Sequence, residues 1–367
     1  MKTGLDLNAL AAELVRRQSA KQDYIVNSER GLEAVVTDTD VMLKIGTNGN
    51  AITVPINDHT HRQMAARLNI PAIYYDRMRA EQRGLLAQNI NTWFKVNPED
   101  RLVRVLDGKA RAFLSDRYRP LENEELAEAV LPVLIARPTA QVVSAQITET
   151  RLYIKVIDQS MTRDVPKGHH MGDGTHTIFD TIAPALTISN SEVGAGSLDI
   201  SAGVYTKACT NLAFFGERSM KKYHVGKSQG GLIGEDNFHL LSDETRKATD
   251  HAVWLQARDV VKNAFDQAKF DALAEKIAGS TKAKIEGDPV KVVDFTAKRF
   301  SMTDGEKTSV LRHLIQGGDL SQWGLSSAIT RTAEDLGDYD RASAFERIGG
   351  TLIDLTGGEW REIAKAA

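Results

Sequence analysis

Residues 101–114 read RLVRVLDGKARAFL. Leu102, Val103 and Val105 run up to Asp107-Gly108, a dipeptide suited to the left-handed conformations of a two-residue hairpin turn, and Ala110 to Leu114 would return antiparallel. The same alternation recurs in Gln141 to Thr148 and Arg151 to Ile157, with a turn centred on Glu149, and further strands are expected at Ile178 to Asn190 and Ser197 to Thr206. The gaps between these strands are too short for helical crossovers, so the pairing should be antiparallel. A helix from Asn123 to Ile135, opened by Glu122, Glu124 and Glu125, lies between the first two hairpins. Gln159 to Thr175 reads as a long polar loop.

The flanks have a different pattern. Towards the N-terminus, residues 5–19 place Leu7, Leu10, Ala11, Leu14 and Gln18 on one helical face, and strands are expected at Leu32 to Asp38, Val41 to Ile45 and Ala51 to Pro55. Asn57 or Asp58 can cap a helix carrying Met64, Ala65 and Leu68, and Pro71 suits the first turn of the next. Residues 82–95 continue helically with Leu85, Leu86, Ile90 and Trp93 buried. Beyond about residue 242 the chain becomes helical: Ser242 or Asp243 caps a long segment through Ile277, and shorter helices follow over Gly305 to Ile315, Leu320 to Leu336, Asp338 to Ile348 and Gly358 to Lys365, separated by glycine breaks. The expected fold class is α+β, a mostly antiparallel central sheet with flanking helices. Its expected parts are an N-terminal α+β region (1–100), a β-rich centre (101–235) and a helical C-terminal subdomain (236–367).

Composition bounds the function. With 367 residues, 42% hydrophobic and 26% charged, the chain is expected to be soluble and globular, which excludes a collagenous repeat, a rod or a disordered polymer. The longest apolar runs, Ile70 to Tyr75 and Ile182 to Ile188, fall far short of the ~20 residues of a membrane span, so no membrane partner is expected. Met1 to Leu14 does not read as a secretion signal. A single cysteine, Cys209, forbids an internal disulfide and fits a reducing, cytoplasmic setting. A net charge of −3 excludes a uniformly basic coat, leaving any polyanion site to a local patch.

Two such patches occur. Across 101–119, Arg101, Arg104, Lys109, Arg111, Arg117 and Arg119 face only Asp107 and Asp116. Lys109, Arg111 and Phe113 share one strand face, and Arg117 and Arg119 flank Tyr118, an interleaving of cations and rings suited to phosphate contact and base stacking. The competing reading is a hairpin whose bases pair with the acids of 122–125. The second patch, Arg218 to Lys227, holds Arg218, Lys221, Lys222, Tyr223 and Lys227 with no acid; its competing reading is a solvated loop. His169, His170, Asp173 and His176 are weak metal candidates, because their spacing matches no closed structural site. Cys209 reads as a structural thiol rather than a nucleophile, Gly194-Ala-Gly196 as a turn between strands, and His59 and His61 as surface or capping residues. No phosphate-binding loop, nucleophile elbow or nuclease-type acidic pair is present, so no catalytic residue and no cofactor are assigned.

Ala87 to Trp93, Arg111 to Leu121, Ile188 to Gly196, Cys209-Thr-Asn211 with His224-Val-Gly226, Leu325 to Ala333 and Glu346 to Gly350 together resemble the phage/plasmid-like family called domain of unknown function 932. Leu212 stands where that family would have glycine. The resemblance implies a role in the DNA biology of phages, plasmids or integrated elements.

The leading expectation is therefore a nucleic-acid-binding protein, acting on single-stranded DNA in protection, annealing or recombination. Homo-oligomeric rings or filaments are compatible with that role. Two alternatives stand beside it: a host-interaction protein of the anti-defence type using the helical C-terminal third, and a metal-dependent nuclease using the His169 to His176 loop with Asp173 or Asp180.

Overall fold

A computed structural model describes residues 1–46, 50–170, 177–207, 211–222 and 242–366. Helix α1 (Leu7–Ala20) starts at Asp6, whose carboxylate accepts from the Ala9 backbone N–H, and buries Leu10 and Leu14. The strand β1 (Lys21–Asn27) and the single turn α2 (Ser28–Gly31) lead into the meander β2 (Leu32–Val36), β3 (Val41–Ile45) and β4 (Ile52–Pro55). Helices α3 (Asp58–Arg67), α4 (Ala72–Glu81) and α5 (Arg83–Val96) follow. Asn57 caps α3 through the Thr60 N–H, and Pro71 stands at the N-cap of α4. The hairpin β5 (Asp100–Leu106) and β6 (Lys109–Ser115) turns on Asp107 and Gly108, both at positive φ, as the dipeptide predicts.

Helix α6 (Asn123–Ile135) precedes six strands: β7 (Ala140–Ile147), β8 (Leu152–Asp158), β9 (Arg163–His170), β10 (Thr177–Asn190), β11 (Leu198–Thr206) and β12 (Asn211–Lys222). They form one sheet in the order β12-β11-β10-β8-β7, with β9 also on β10, and every strand pair is antiparallel. Helices α7 (Asp243–Lys262), α8 (Gln267–Ser280), α9 (Pro289–Arg299), α10 (Asp304–Gly317), α11 (Gln322–Asp335), α12 (Tyr339–Asp354) and α13 (Gly357–Ala364) complete the chain. The fold is α+β with a helical C-terminal region, as expected.

The central sheet is covered on both faces. Ile154 and Val156 of β8 face a core shared with Leu10, Leu126, Val130 and Trp254 from α1, α6 and α7. Lys155, between them in sequence, points the other way to α12, where Glu346 takes its ammonium at 2.7 Å with both side chains wholly buried. The hairpin of β5 and β6 packs into the N-terminal core with Met64, Tyr75, Ile90 and Phe94, and β5 pairs along its length with β1. Residues on both sides of position 100 thus share one core. Among the described residues no helix is long and apolar enough to cross a membrane.

Several expectations change. Residues 21–27 form a strand that the polar sequence KQDYIVN did not signal, because its partner and not its own pattern orders it. Residues 163–170 of the expected polar loop are β9, held by pairing to β10. Residues 211–222 are an edge strand, so Arg218, Lys221 and Lys222 lie in a strand and not a loop. The expected long helix from 242 breaks into α7 and α8, where Asn263 closes one through the Asp259 carbonyl and Asp266 opens the other through the Lys269 N–H. Helix α9, with Asp288 as cap and Pro289 in the first turn, was not anticipated. Gly349-Gly350 does not end a helix but lies inside α12. Leu85 and Trp93 are exposed at 41% and 38%, and Ala11 and Gln18 are also exposed.

Candidate nucleic-acid interface

The first basic patch is largely spent inside the molecule. Arg111 is buried and gives Nη1 to Glu192 at 2.9 Å. Arg104, also buried, pairs with Asp23 at 2.9 Å and Glu122 at 2.6 Å and donates to the Glu192 carbonyl at 2.8 Å. Lys21 bridges Glu122 and Glu192 at 2.8 and 2.7 Å. Burial pushes the Glu192 carboxyl up, but Arg111 and Lys21 outweigh it and hold the group well below the usual carboxylate range; for Glu122 burial prevails and its pKa rises. Pairing with an acid of 122–125 therefore holds for Arg104, while Arg111 finds an acid 81 residues away.

The rings follow the same course. Phe113 is buried in the N-terminal core beside Ala110 and stacks on Phe94 at 5.9 Å, with the Arg101 guanidinium, paired to Glu99, 5.6 Å from its ring. A register shift opposite Arg104 and Val105 breaks the face expected of Lys109, Arg111 and Phe113 at Arg111, which turns to Glu192 instead. The Tyr118 hydroxyl donates to the Ser191 carbonyl at 3.2 Å and accepts from the Gly194 N–H at 3.0 Å. Arg119 pairs with Asp250 at 2.6 Å. Lys109 remains half exposed, 3.8 Å from Glu149, and Arg117 is exposed. Phe113 and Arg111 are thus corrected from nucleic-acid contacts to buried residues: along the middle of β6 one side meets the N-terminal core and the other meets Glu192 and Val193.

From the second patch, Lys221 is exposed on β12 opposite Asp199 of β11. The side chains of Arg218 and Lys222, and all of Tyr223 and Lys227, lie outside the described residues. So do Cys209, Asp173 and His176 and the side chains of His169 and His170, the weak metal candidates. Among the described residues no group of three His, Cys, Asp or Glu is placed to hold a metal ion.

One loop, residues 191–197, links the two patches. Tyr118 holds its first half, and its second half, Ala195 to Ser197, walls a cleft of about 550 Å³ with Lys221, Arg151 and Arg347. Arg151 gives Nη2 to the Ala195 carbonyl at 3.0 Å and meets no carboxylate among the described residues. A β-carbon on Gly196 would fall on the Arg151 guanidinium, so a larger residue there would have to displace that side chain. Arg347 is split between Asp199 and the Ser189 hydroxyl, each at 3.2 Å. Asp340 accepts from the hydroxyls of Thr148 and Thr150. Burial, and then the nearby Asp340, push the Tyr153 phenol up, so it stays neutral. The Ser343 hydroxyl is buried in the same wall with no hydrogen-bond partner among the described residues.

Three cations and an uncommitted hydroxyl against two acids, both already hydrogen-bonded, suit an oxyanion. Sequence reasoning singled out Lys221 and the glycine turn here, but missed Arg151, Ser343 and Arg347. Each looks ordinary in its own segment, and only the crossing of α12 over the sheet gathers them. Comparisons of the chain with protein-family models, with curated proteins and with solved structures gave no match.

Proposed function

We propose that this protein binds nucleic acid, with single-stranded DNA as the ligand, through phosphate contacts in the Arg151 cleft. The observation that carries the reading is Arg151 itself: a half-buried guanidinium with no carboxylate partner among the described residues, in one cleft with Lys221 and Arg347. Desolvating a cation without an acid costs free energy that an arriving phosphate restores. A cleft of about 550 Å³ suits a nucleotide-sized unit of one strand and is too small for a duplex. The reading shifts weight from stacking to charge, since Phe113 is buried and the Tyr118 hydroxyl is engaged. Mobile-element DNA protection, annealing or recombination, in the cytoplasm and with or without oligomerisation, is the setting in which such binding would serve.

The test is a salt titration of binding to single- and double-stranded DNA by the wild type and by Arg151→Ala/Lys221→Ala. Each phosphate contact on a single strand contributes about −0.7 to the slope of log affinity against log salt, so the double variant should flatten it by about 1.4. Arg117→Ala reports on the exposed remnant of the first patch. No binding at low salt, or a double variant with the wild-type slope, overturns the reading.

A further inference from the structure

We propose that a second cleft, between the strands β9, β10 and β12 and the helices α10 and α11, binds an amino-bearing nucleobase. It encloses about 360 Å³ and is lined by Lys167, Asp180, Asn211, His313 and Trp323. Two of its buried uncharged groups are hydrogen-bond acceptors that no donor among the described residues reaches. Asn211, 3% exposed, commits its Nδ2 to the Ser327 carbonyl at 3.1 Å, which fixes the amide; its Oδ1 is buried and has no partner among the described residues. His313, with 9% of its side chain exposed, places Nε2 2.8 Å from the Asp335 carboxylate. An ionised carboxylate only accepts, so in the neutral imidazole the proton sits on Nε2 and the lone pair falls to Nδ1, which is buried and has no partner among the described residues.

A buried acceptor left unmade is costly, so the ligand this cleft completes is one that brings N–H donors. It is not a cation: the Lys167 ammonium already stands 3.3 Å from Asp180, whose other oxygen takes the Trp323 indole N–H at 3.0 Å, and Arg331 also lines the cleft. Lys167 and Arg331 balance Asp180 and Asp319, which leaves a neutral ligand of base or nucleoside size, near the lower end of small-ligand cavities. The exocyclic amino group of adenine or cytosine supplies two donors; thymine offers only its single ring N–H.

Choosing a base among donor-bearing ligands rests on the nucleic-acid reading, but the tests are separable, because nucleosides carry no phosphate for the Arg151 cleft. Adenosine, cytidine and thymidine are titrated into the full chain by calorimetry. Adenosine or cytidine should bind at least about tenfold more tightly than thymidine. Asn211→Leu and, on the other wall, His313→Phe should each weaken the preferred nucleoside about tenfold or more, while Arg151→Ala/Lys221→Ala leaves it unchanged. Absence of saturation by any of the three up to about 10 mM, equal affinity for all three, or unchanged binding in a folded Asn211→Leu or His313→Phe protein overturns the proposal. Should either variant fail to fold, the nucleoside preference of the wild type still decides.

Discussion

At the scale of single residues, His61 ties stability to pH through its buried imidazole. It opens α3 where a surface or capping role was expected, yet it is 1% exposed, with Nδ1 2.8 Å from the Tyr75 hydroxyl. Among the described residues this is the ring's only hydrogen bond, and Nε2 is buried without a partner, so nothing there offsets the cost of charging the imidazole by hydrogen bonding. Burial first, and then the charge of Arg79, lower its pKa to about 4, against the opposing pull of Asp40, Asp58 and Asp76. Below pH 6.5 the unfolded chain takes up a proton that the folded one refuses. Stability is therefore full above pH 6.5 and falls as the pH drops towards 4, by about 3 kcal/mol in all. Urea midpoints at pH 7 and 4.5 should show this loss in the wild type and a much smaller one in His61→Gln. Equal losses in the two proteins would assign it elsewhere.

Elements form where the sequence carries a local signal and join where it does not. The hairpin at 107–108 and the caps Asn57 and Ser242 were legible because each is settled within a few residues, whereas the capping box from Thr303 to Glu306 was missed. Gly349-Gly350 misled because a glycine pair inside a helix looks like a break, whereas here it admits the sheet: a β-carbon on Gly350 would fall on the Phe214 carbonyl of β12, and one on Gly349 would meet Thr330 of α11. Helix propensity alone favours alanine by about 1 kcal/mol. Main-chain overlap reverses the sign, so Gly350→Ala should destabilise by about 2 kcal/mol or more. Gly279→Ala in α8, with open space around it, should gain up to about 1 kcal/mol. Denaturant unfolding of the two variants separates packing from propensity, and a stabilised Gly350→Ala would contradict the close approach.

Across the whole molecule, buried charges sit at the joints. Glu192 holds Lys21 and Arg111 of the N-terminal sheet and the Asn123 N–H of α6, and it stands at the start of the loop that walls the Arg151 cleft. Lys155 and Glu346 fasten α12 to the opposite face of the central sheet. Removing one partner of a buried pair leaves the other charge desolvated, so Glu192→Ala should cost about 3–5 kcal/mol. Because it lies between two cores, the loss should also divide unfolding into two transitions, with the β1, β5 and β6 sheet reporting separately from the central sheet. A single transition at the wild-type midpoint would show that Glu192 joins nothing.

The sequence by itself determined the α+β class, the antiparallel hairpins, most helix starts and the presence of local positive charge, because hydrophobic period, turn chemistry and composition act over a few residues. Tertiary structure alone decided which charges are available. Arg104, Arg111 and Phe113 look exposed as a string but are enclosed once β5 and β6 enter the N-terminal core, while Arg151 and Arg347, unremarkable in sequence, are gathered with Lys221 where α12 crosses the sheet. Charge is written residue by residue, whereas the acid that neutralises it, such as Glu192 for Arg111, is chosen by chain crossings that no local pattern encodes.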